Sequence, residues 1–165
     1  MIVVFDTDII SCIAKTENIE LIENIFPGFR FSISPRVYDE IREAKDIGYD
    51  FVGYIQNLID TKRIEIISAK NAERMKELED SGLDFGDIES IAVAEENNAI
   101  LLSNDKKVKR ESKVEVFDIE ALILIAIDNH LIQDKEELLS LINDIGSKDN
   151  ISLRNKQFLI SRINR

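Results

Sequence analysis

The chain lacks tryptophan and has one cysteine, one histidine and two prolines among its 165 residues. A single cysteine excludes an internal disulfide and agrees with a reducing compartment. One cysteine and one histidine are also too few for a zinc site of the usual kind, so a bound metal would need oxygen ligands. We interpret Cys12, within the apolar helical pattern DIISCIA, as a small core residue and His130 as a residue near a helix end.

Long apolar runs are absent as well. The apolar segment ALILIAI at 121–127 is much shorter than the roughly 20 residues that cross a bilayer. No basic region precedes the apolar run at the N-terminus, which argues against a signal peptide. We therefore expect a cytoplasmic protein without a membrane segment.

Hydrophobic residues make up 44% of the chain and charged residues 32%, a composition typical of one soluble domain with a substantial core. The net charge of −11 argues against a protein that coats nucleic acid by bulk electrostatics. Two segments differ from this acidic average. Residues 105–113 contain five basic and two acidic residues, and residues 151–165 contain four basic residues and no acidic one. They could produce a directional field, but solvated helix faces explain each segment equally well.

Short apolar segments alternate with helical patterns along the chain. The strand-like segments are 2–5, 30–34, 64–67, 99–103 and 114–117. Apolar residues three or four positions apart predict helices between them, one of which has Ser34 as its candidate N-cap and Pro35 in its first turn. This alternation predicts an α/β fold with three α/β/α layers around a mostly parallel sheet. We expect one domain over 1–150 and a basic, helical C-terminal arm over 151–165.

Four acidic residues fall where such a fold brings distant segments together. Asp6 follows the first strand, and Asp105 follows the strand at 99–103. Ligands bind at the carboxyl ends of the strands in parallel α/β sheets, so both carboxylates could border a site. Glu40, in an otherwise apolar helix, and Asp87, at the start of another, fit the same place. Taken singly, each acid also has an ordinary interpretation as a surface residue or, for Asp87 and Asp105, as a helix cap.

A cluster of carboxylates favours a bound divalent cation. Carboxylates close together repel one another and raise their own pKa values, and a hard cation removes this repulsion. Mg²⁺ prefers oxygen ligands, binds carboxylates and phosphate together, and can activate a water for attack on phosphorus. The sequence has no motif for a competing mechanism: it lacks the glycines of a P-loop, a Ser–His pair and a cysteine in a catalytic environment. These residues therefore favour hydrolysis by metal-activated water.

The segments VVFDTDIIS, SPRVYDEI and GDIESIAVAEENNAILLSND resemble, in this order, the PIN-domain family of metal-dependent ribonucleases. The family pattern has an Asp and a small polar residue after the first strand, and then a Glu in a VYxEL-like helix. A third acid precedes a helix rich in Ala and Ile, and a fourth follows in a T/S-x-D element. Asp6, Glu40, Asp87 and Asp105 match these acids, and the last two are 18 positions apart (105 − 87), a separation common in the family. The resemblance covers residues 1–120 well.

The resemblance implies a role for each matched residue. The quartet Asp6, Glu40, Asp87 and Asp105 would be catalytic and bind Mg²⁺ or Mn²⁺. The auxiliary residues would be Thr7, Asp8, Glu89 and Ser103, with Glu89 left open as an alternative to Asp87 for the third ligand. The residues that guide RNA would be Lys106, Lys107, Lys109 and Arg110.

We therefore expect an endoribonuclease that cleaves single-stranded RNA with Mg²⁺ or Mn²⁺. Many members of the family are toxins of prokaryotic toxin–antitoxin pairs, so the resemblance brings in an antitoxin protein and a second copy of the chain as candidate partners. Aromatic residues make up only 7% of the chain, which leaves few side chains for base stacking. Two alternatives stay open. One is a catalytically silent PIN-fold binding module, and the other is a haloacid-dehalogenase-like phosphatase with Asp6 as nucleophile, suggested by the DTD after the first strand.

Overall fold

The computed structural model describes residues 1–46 and 50–163, so residues 164–165 of the predicted arm lie outside the described part. Strands and helices alternate through most of these ranges, as predicted. The elements are β1 (Ile2–Phe5), α1 (Thr7–Thr16), α2 (Ile19–Ile25), β2 (Arg30–Ile33), α3 (Pro35–Asp46), α4 (Phe51–Asp60), β3 (Ile64–Ile66), α5 (Ala72–Glu79), α6 (Phe85–Glu96), β4 (Ile100–Leu102), α7 (Lys106–Glu111), β5 (Val116–Phe117), α8 (Ile119–Asp128), α9 (Lys135–Asp149) and α10 (Lys156–Ile163).

The described strands form one sheet in the order β3-β2-β1-β4-β5, and every neighbouring pair is parallel. The predicted α/β fold is therefore confirmed, and the described sheet is entirely parallel. Phe5 at the end of β1 is in register with Ile33 of β2 and Leu102 of β4. Because these strands end together, the loops that follow them share one edge of the sheet.

Helices cover both faces of the sheet and give it two hydrophobic cores. Val3 and Phe5 of β1 belong to the larger core, together with residues of α1 to α4 and α8 to α10. Ile2 and Val4 belong to the smaller core, together with residues of α5, α6 and α7. A strand buried on both faces has no polar side to alternate with its apolar side, which explains the continuous apolar run IVVF.

Local capping accounts for the start of several helices. Ser34 Oγ accepts a hydrogen bond from the backbone N–H of Val37 at 3.2 Å, and Pro35 is the first residue of α3. Cys12 is buried on α1.

The C-terminal residues pack against the rest of the molecule. Leu159 of α10 is buried in the larger core, and Arg162 pairs with Asp128 at 2.9 Å. Glu120 on α8 accepts hydrogen bonds from the backbone N–H groups of Arg154 and Asn155. The division into a domain and an arm at residue 150 stays a prediction. None of the helices within 1–46 and 50–163 has the length and apolar character needed to cross a membrane.

Candidate active site

Asp6 lies at the junction of β1, α1 and β4. Its backbone N–H donates to the carbonyl of Leu102 at 3.0 Å, which extends the pairing of the strands to the site. Its Oδ1 accepts from the backbone N–H of Ile9 at 2.8 Å and so caps α1. The side chain is only 3% exposed, and burial raises the pKa of Asp6 to about 8, against the lowering effect of hydrogen bonds with Ser103 and Ile9.

Ser103 connects Asp6 with Asp105. Its buried hydroxyl hydrogen-bonds with the Asp6 carboxylate and accepts from the backbone N–H of Asp105 at 3.1 Å. Asp105 Oδ1 in turn accepts from the backbone N–H of Lys107 at 2.7 Å, so Asp105 is the N-cap of α7. The capping interpretation of Asp105 is thus correct, and Ser103 links the backbone of Asp105 to the Asp6 carboxylate.

Glu40 reaches the same place from α3. The Thr7 hydroxyl donates to Glu40 Oε2, and Arg36 lies 3.6 Å from Oε1. Gly86 of α6 packs directly against this carboxylate, since a Cβ added to Gly86 would lie only 2.7 Å from Glu40 Oε1. The missing side chain at Gly86 therefore brings α3 and α6 together at the site.

Asp87 follows Gly86 in the first turn of α6, but the helix cap is another residue. Asp84 Oδ1 accepts from the backbone N–H of Asp87 at 2.9 Å, so α6 begins at Phe85 and the interpretation of Asp87 as the cap is wrong. Burial raises the pKa of Asp87 to about 7, and repulsion from Asp84, Asp105, Asp8 and Glu40 adds to this, in that order. Asp84 was not predicted from the sequence, although an Asp just before an apolar helical pattern is a capping signal.

The cluster has little compensating positive charge. Apart from the contact of Arg36 with Glu40, no lysine or arginine in the described ranges forms an ion pair with the cluster acids Asp6, Asp8, Glu40, Asp84, Asp87 and Asp105. Burial raises the pKa of Asp8, and repulsion from Asp149, Asp84 and Asp105 raises it further. Burial is also the largest cause of the raised pKa of Glu40. Carboxylates that lie close together without positive partners favour the binding of a hard divalent cation.

The chemical type of the donor atoms, rather than a complete set of positioned ligands, indicates which metal the cluster fits. In the described part of the chain, no three Asp, Glu, His or Cys side chains are placed to hold one ion as they stand. One carboxylate oxygen of Asp6 and one of Asp105 each accept a hydrogen bond from a helix N–H group, and Glu40 accepts one from Thr7. Each carboxylate retains further lone pairs, and side-chain rotations can direct them to a shared ion. The oxygen-only donor set therefore fits Mg²⁺ or Mn²⁺.

Glu89 has a different environment from Asp87. Its Oε2 accepts from the backbone N–H of Arg36 at 2.7 Å, so its carboxylate binds the first turn of α3. Asp87, in contrast, is electrostatically coupled to the other acids of the cluster. The structure thus brings together Asp6, Glu40, Asp87 and Asp105, with Thr7, Asp8 and Ser103 beside them. The assignment of ligand roles stays a prediction.

The chain matches the family model DUF3368, described as a PIN domain, over residues 2–156. The chain belongs to the PIN-domain family. This membership supports a PIN-type nuclease in general, and nothing in the comparisons supports the haloacid-dehalogenase alternative.

Solved structures share the fold of this PIN domain. VapBC2 from Rickettsia felis, bound to a DNA fragment from its promoter, is 25% identical with a TM-score of 0.56, covering 72% of this chain and 98% of that chain. VapBC-1 from nontypeable Haemophilus influenzae is 20% identical with a TM-score of 0.54, covering 72% and 98%. PAE2754 from Pyrobaculum aerophilum is 17% identical with a TM-score of 0.52, covering 75% and 94%. Among curated proteins, none has a significantly similar sequence.

A groove of about 820 Å³ lies beside the carboxylates of this PIN domain. Asp8, Asp105 and Lys106 of the cluster region line it, and residues 151–155 form a further part of its wall. Glu120 holds residues 154 and 155 in place by accepting hydrogen bonds from their backbone N–H groups. Arg154 is part of this wall and was not predicted from the sequence, because its position depends on the packing of α8 and the C-terminal residues.

The basic residues of α7 are arranged unequally. Lys106 lines the groove. Lys107 Nζ donates to the backbone carbonyl of Gly82 at 3.1 Å, which joins α7 to the turn before α6. Arg110 pairs with the adjacent Glu111, and Lys109 is exposed. Lys106 and Lys107 are therefore the two basic side chains of α7 with a structural connection to the site.

Proposed function

We propose that this PIN domain is a cytoplasmic endoribonuclease that cleaves single-stranded RNA with Mg²⁺ or Mn²⁺. The observation that carries the proposal is the convergence of Asp6, Glu40, Asp87 and Asp105 at one edge of the sheet. Burial raises the pKa values of Asp6, Glu40 and Asp87, and repulsion from neighbouring acids raises each of them further. Among the described residues, the ion pair of these four acids is that of Glu40 with Arg36. Burying a carboxylate such as Asp6 without a cation is costly, so a function is the simplest reason for this arrangement.

In this proposal the four carboxylates would hold the ion, which when bound supplies an activated water and neutralises charge on the phosphate. The Ser103 hydroxyl hydrogen-bonds with the Asp6 carboxylate and accepts from the backbone N–H of Asp105, and Thr7 donates to Glu40 Oε2. These bonds restrict the side chains of Asp6 and Glu40 before substrate arrives. Restricting them in advance lowers the cost of assembling a charged site.

The groove beside Asp105 would hold the RNA strand. Lys106 and Arg154 both line it and can contact backbone phosphates, and such contacts position a strand without reading its sequence. Three further acids of the groove, Asp118, Glu120 and Asp149, are engaged in the fold. Asp118 accepts from the backbone N–H of Ala121 and caps α8. Asp149 pairs with Lys15, and Glu120 accepts from backbone N–H groups. They therefore oppose a phosphate less than free carboxylates would.

The substitution Asp6→Asn tests the proposal because it removes charge with little change of shape. We expect cleavage of single-stranded RNA with Mn²⁺ to fall by at least about 100-fold, since loss of a ligand is at least as severe as loss of an outer-shell partner. Asp39→Asn is the matched control, because Asp39 is exposed on α3 next to Glu40 and should leave cleavage unchanged. Equal cleavage by Asp6→Asn and wild type would contradict the proposed active site.

We also propose an antitoxin protein as partner, supported by the similarity to chains of VapBC complexes. Such a partner would cover the cluster and hold the enzyme inactive until it is released. Co-purification with the product of a neighbouring small gene, together with loss of cleavage in the complex, would support this partner. A second copy of the chain stays a prediction, which light scattering of the purified protein can decide.

One observation favours the second candidate, a silent binding module. No three acids in the described ranges are placed to share an ion without rearrangement. A metal that binds only the folded state adds about 2.7 kcal/mol to the free energy of unfolding when its concentration is 100 times its Kd. It therefore raises the melting temperature. We expect millimolar Mn²⁺ to raise the melting temperature of wild type but not of Asp6→Asn. An unchanged wild-type melting temperature would favour the silent module.

A further inference from the structure

Phe85 is an aromatic residue without a place in either core. It is 58% exposed, whereas Phe5, Phe26 and Phe31 are buried. The large hydrophobic residues exposed in the described ranges are Met1, Ile66, Phe85 and Phe158. Single exposed apolar residues are common in proteins, so exposure alone assigns no role to Phe85. Its position relative to the acidic cluster makes the difference.

Phe85 is the first residue of α6 and lies between two residues of the site. Asp84 before it caps the helix, and Gly86 after it contacts the Glu40 carboxylate. Helical side chains tilt towards the N-terminus of their helix, and the N-terminus of α6 is the end that carries Asp84 and Asp87. Phe85 is therefore an exposed aromatic residue at the end of α6 that forms the rim of the carboxylate cluster.

The same rim carries positive charge from α7. Lys107 Nζ donates to the carbonyl of Gly82 at 3.1 Å, three residues before Phe85, so this lysine is fastened to the turn that leads into α6. Lys106 follows Asp105 directly and lines the groove. Cations that follow a backbone, together with an aromatic face on which a base stacks, are the usual combination for binding a single strand. Here both are next to the carboxylates.

We propose that Phe85 forms a nucleobase subsite, on which a base next to the scissile phosphate of single-stranded RNA stacks. This inference rests on the proposed function and adds a positioning residue to it. Every base has a π-face, so the subsite holds the strand without selecting a sequence. Stacking fixes the sugar next to the cut, and this places the phosphate over the carboxylates. A protein partner that covers Phe85 is the competing explanation, and the experiment below separates the two.

The experiment compares wild type with Phe85→Ala, Phe85→Leu and Phe85→Tyr on a single-stranded RNA oligonucleotide. Stacking on one base changes affinity by roughly 5- to 150-fold, the equivalent of about 1–3 kcal/mol. We expect KM to rise by such a factor in the Ala and Leu variants, with kcat close to wild type. Tyr should restore the wild-type KM. Phe158→Ala is the matched control, since Phe158 is a similarly exposed phenylalanine, at 54%, but lies on α10, where its neighbours in the chain are not acids of the cluster.

Abasic substitutions in the oligonucleotide make the test specific for stacking. When the base that stacks is removed, wild type and Phe85→Leu should have the same KM, and abasic sites elsewhere should keep the difference. A difference that persists at every abasic position would overturn the subsite, as would a Phe85→Ala enzyme with the KM of wild type. A variant that loses only a protein partner, with RNA cleavage intact, would also overturn it.

Failure of the subsite can be distinguished from failure of the proposed function. Absence of cleavage by wild type, or cleavage that survives Asp6→Asn, contradicts the nuclease itself. Cleavage that depends on Asp6 but is indifferent to Phe85 contradicts the subsite alone. Leu at position 85 keeps an apolar side chain and Tyr keeps the ring, so the comparison holds even where Ala alters the start of α6.

Discussion

At the scale of single residues, Gly86 shows how the fold and the site depend on each other. Gly86 lies in the first turn of α6, and glycine is a poorer helix former than alanine, by about 1 kcal/mol in a helix interior, so its presence there needs a reason. Its backbone does not supply one, because the positive-φ glycines of the described chain are Gly28 and Gly82. The reason is the close approach of the Glu40 carboxylate, which leaves no room for a Cβ.

We predict that Gly86→Ala folds but loses activity. The atoms that must move are at the far end of the flexible Glu40 side chain, so the stability should change little while the carboxylate leaves its position. Cleavage should fall by roughly 10- to 100-fold, the usual effect of disturbing the support of a metal site. Gly53→Ala on α4 is the control, since its Cβ would meet no atom within 4 Å and activity should be unchanged. If Gly86→Ala has both the melting temperature and the full activity of wild type, the contact with Glu40 is not important for cleavage.

At the scale of elements, the strands and helices were predicted well because apolar spacing and helix caps are set by residues close together in the chain. β1 is buried on both faces, and α3 begins at Pro35 after its Ser34 cap. The start of α6 was predicted at Asp87, with a capping role as one interpretation of that residue, whereas α6 begins at Phe85 after the Asp84 cap. Asp84 and Phe85 were missed for the same reason. Residues such as Arg154 could not be found at all, since no local pattern tells which wall of a groove a C-terminal segment will form.

The docking of α10 yields a prediction at this scale. Leu159 is buried against the larger core, so Leu159→Ala should lower the free energy of unfolding by about 2–5 kcal/mol. Phe158→Ala, at the adjacent exposed position, should leave it within about 0.5 kcal/mol of wild type. Urea unfolding monitored by circular dichroism measures both. If Leu159→Ala is as stable as wild type, the C-terminal residues behave as an independent arm rather than as part of the domain.

At the scale of the whole molecule, the chain has a net charge of −11, and some of its acidic residues lie close together, where their repulsion destabilises the fold. The fold gathers six acids at one edge of the sheet, and Asp6 is almost fully buried there. Burial raises the pKa of Asp6 to about 8 and that of Asp87 to about 7, from an ordinary value of 3.8 for both. Without a cation, the folded protein therefore retains protons that the unfolded chain has already released.

The sign of the resulting pH dependence follows from this difference. Stability changes with pH according to the protons bound by the unfolded state minus those bound by the folded state, and here the difference is negative. In the presence of a chelator, the free energy of unfolding should thus fall as the pH rises from about 4 to about 8, where Asp6 finally ionises. Asp6→Asn should flatten this dependence, and Mn²⁺ should restore stability most at about pH 8, where the carboxylates are charged. Urea unfolding across this pH range, with and without Mn²⁺, measures all three effects, and a stability that rises through the window would show that the cluster does not hold these protons.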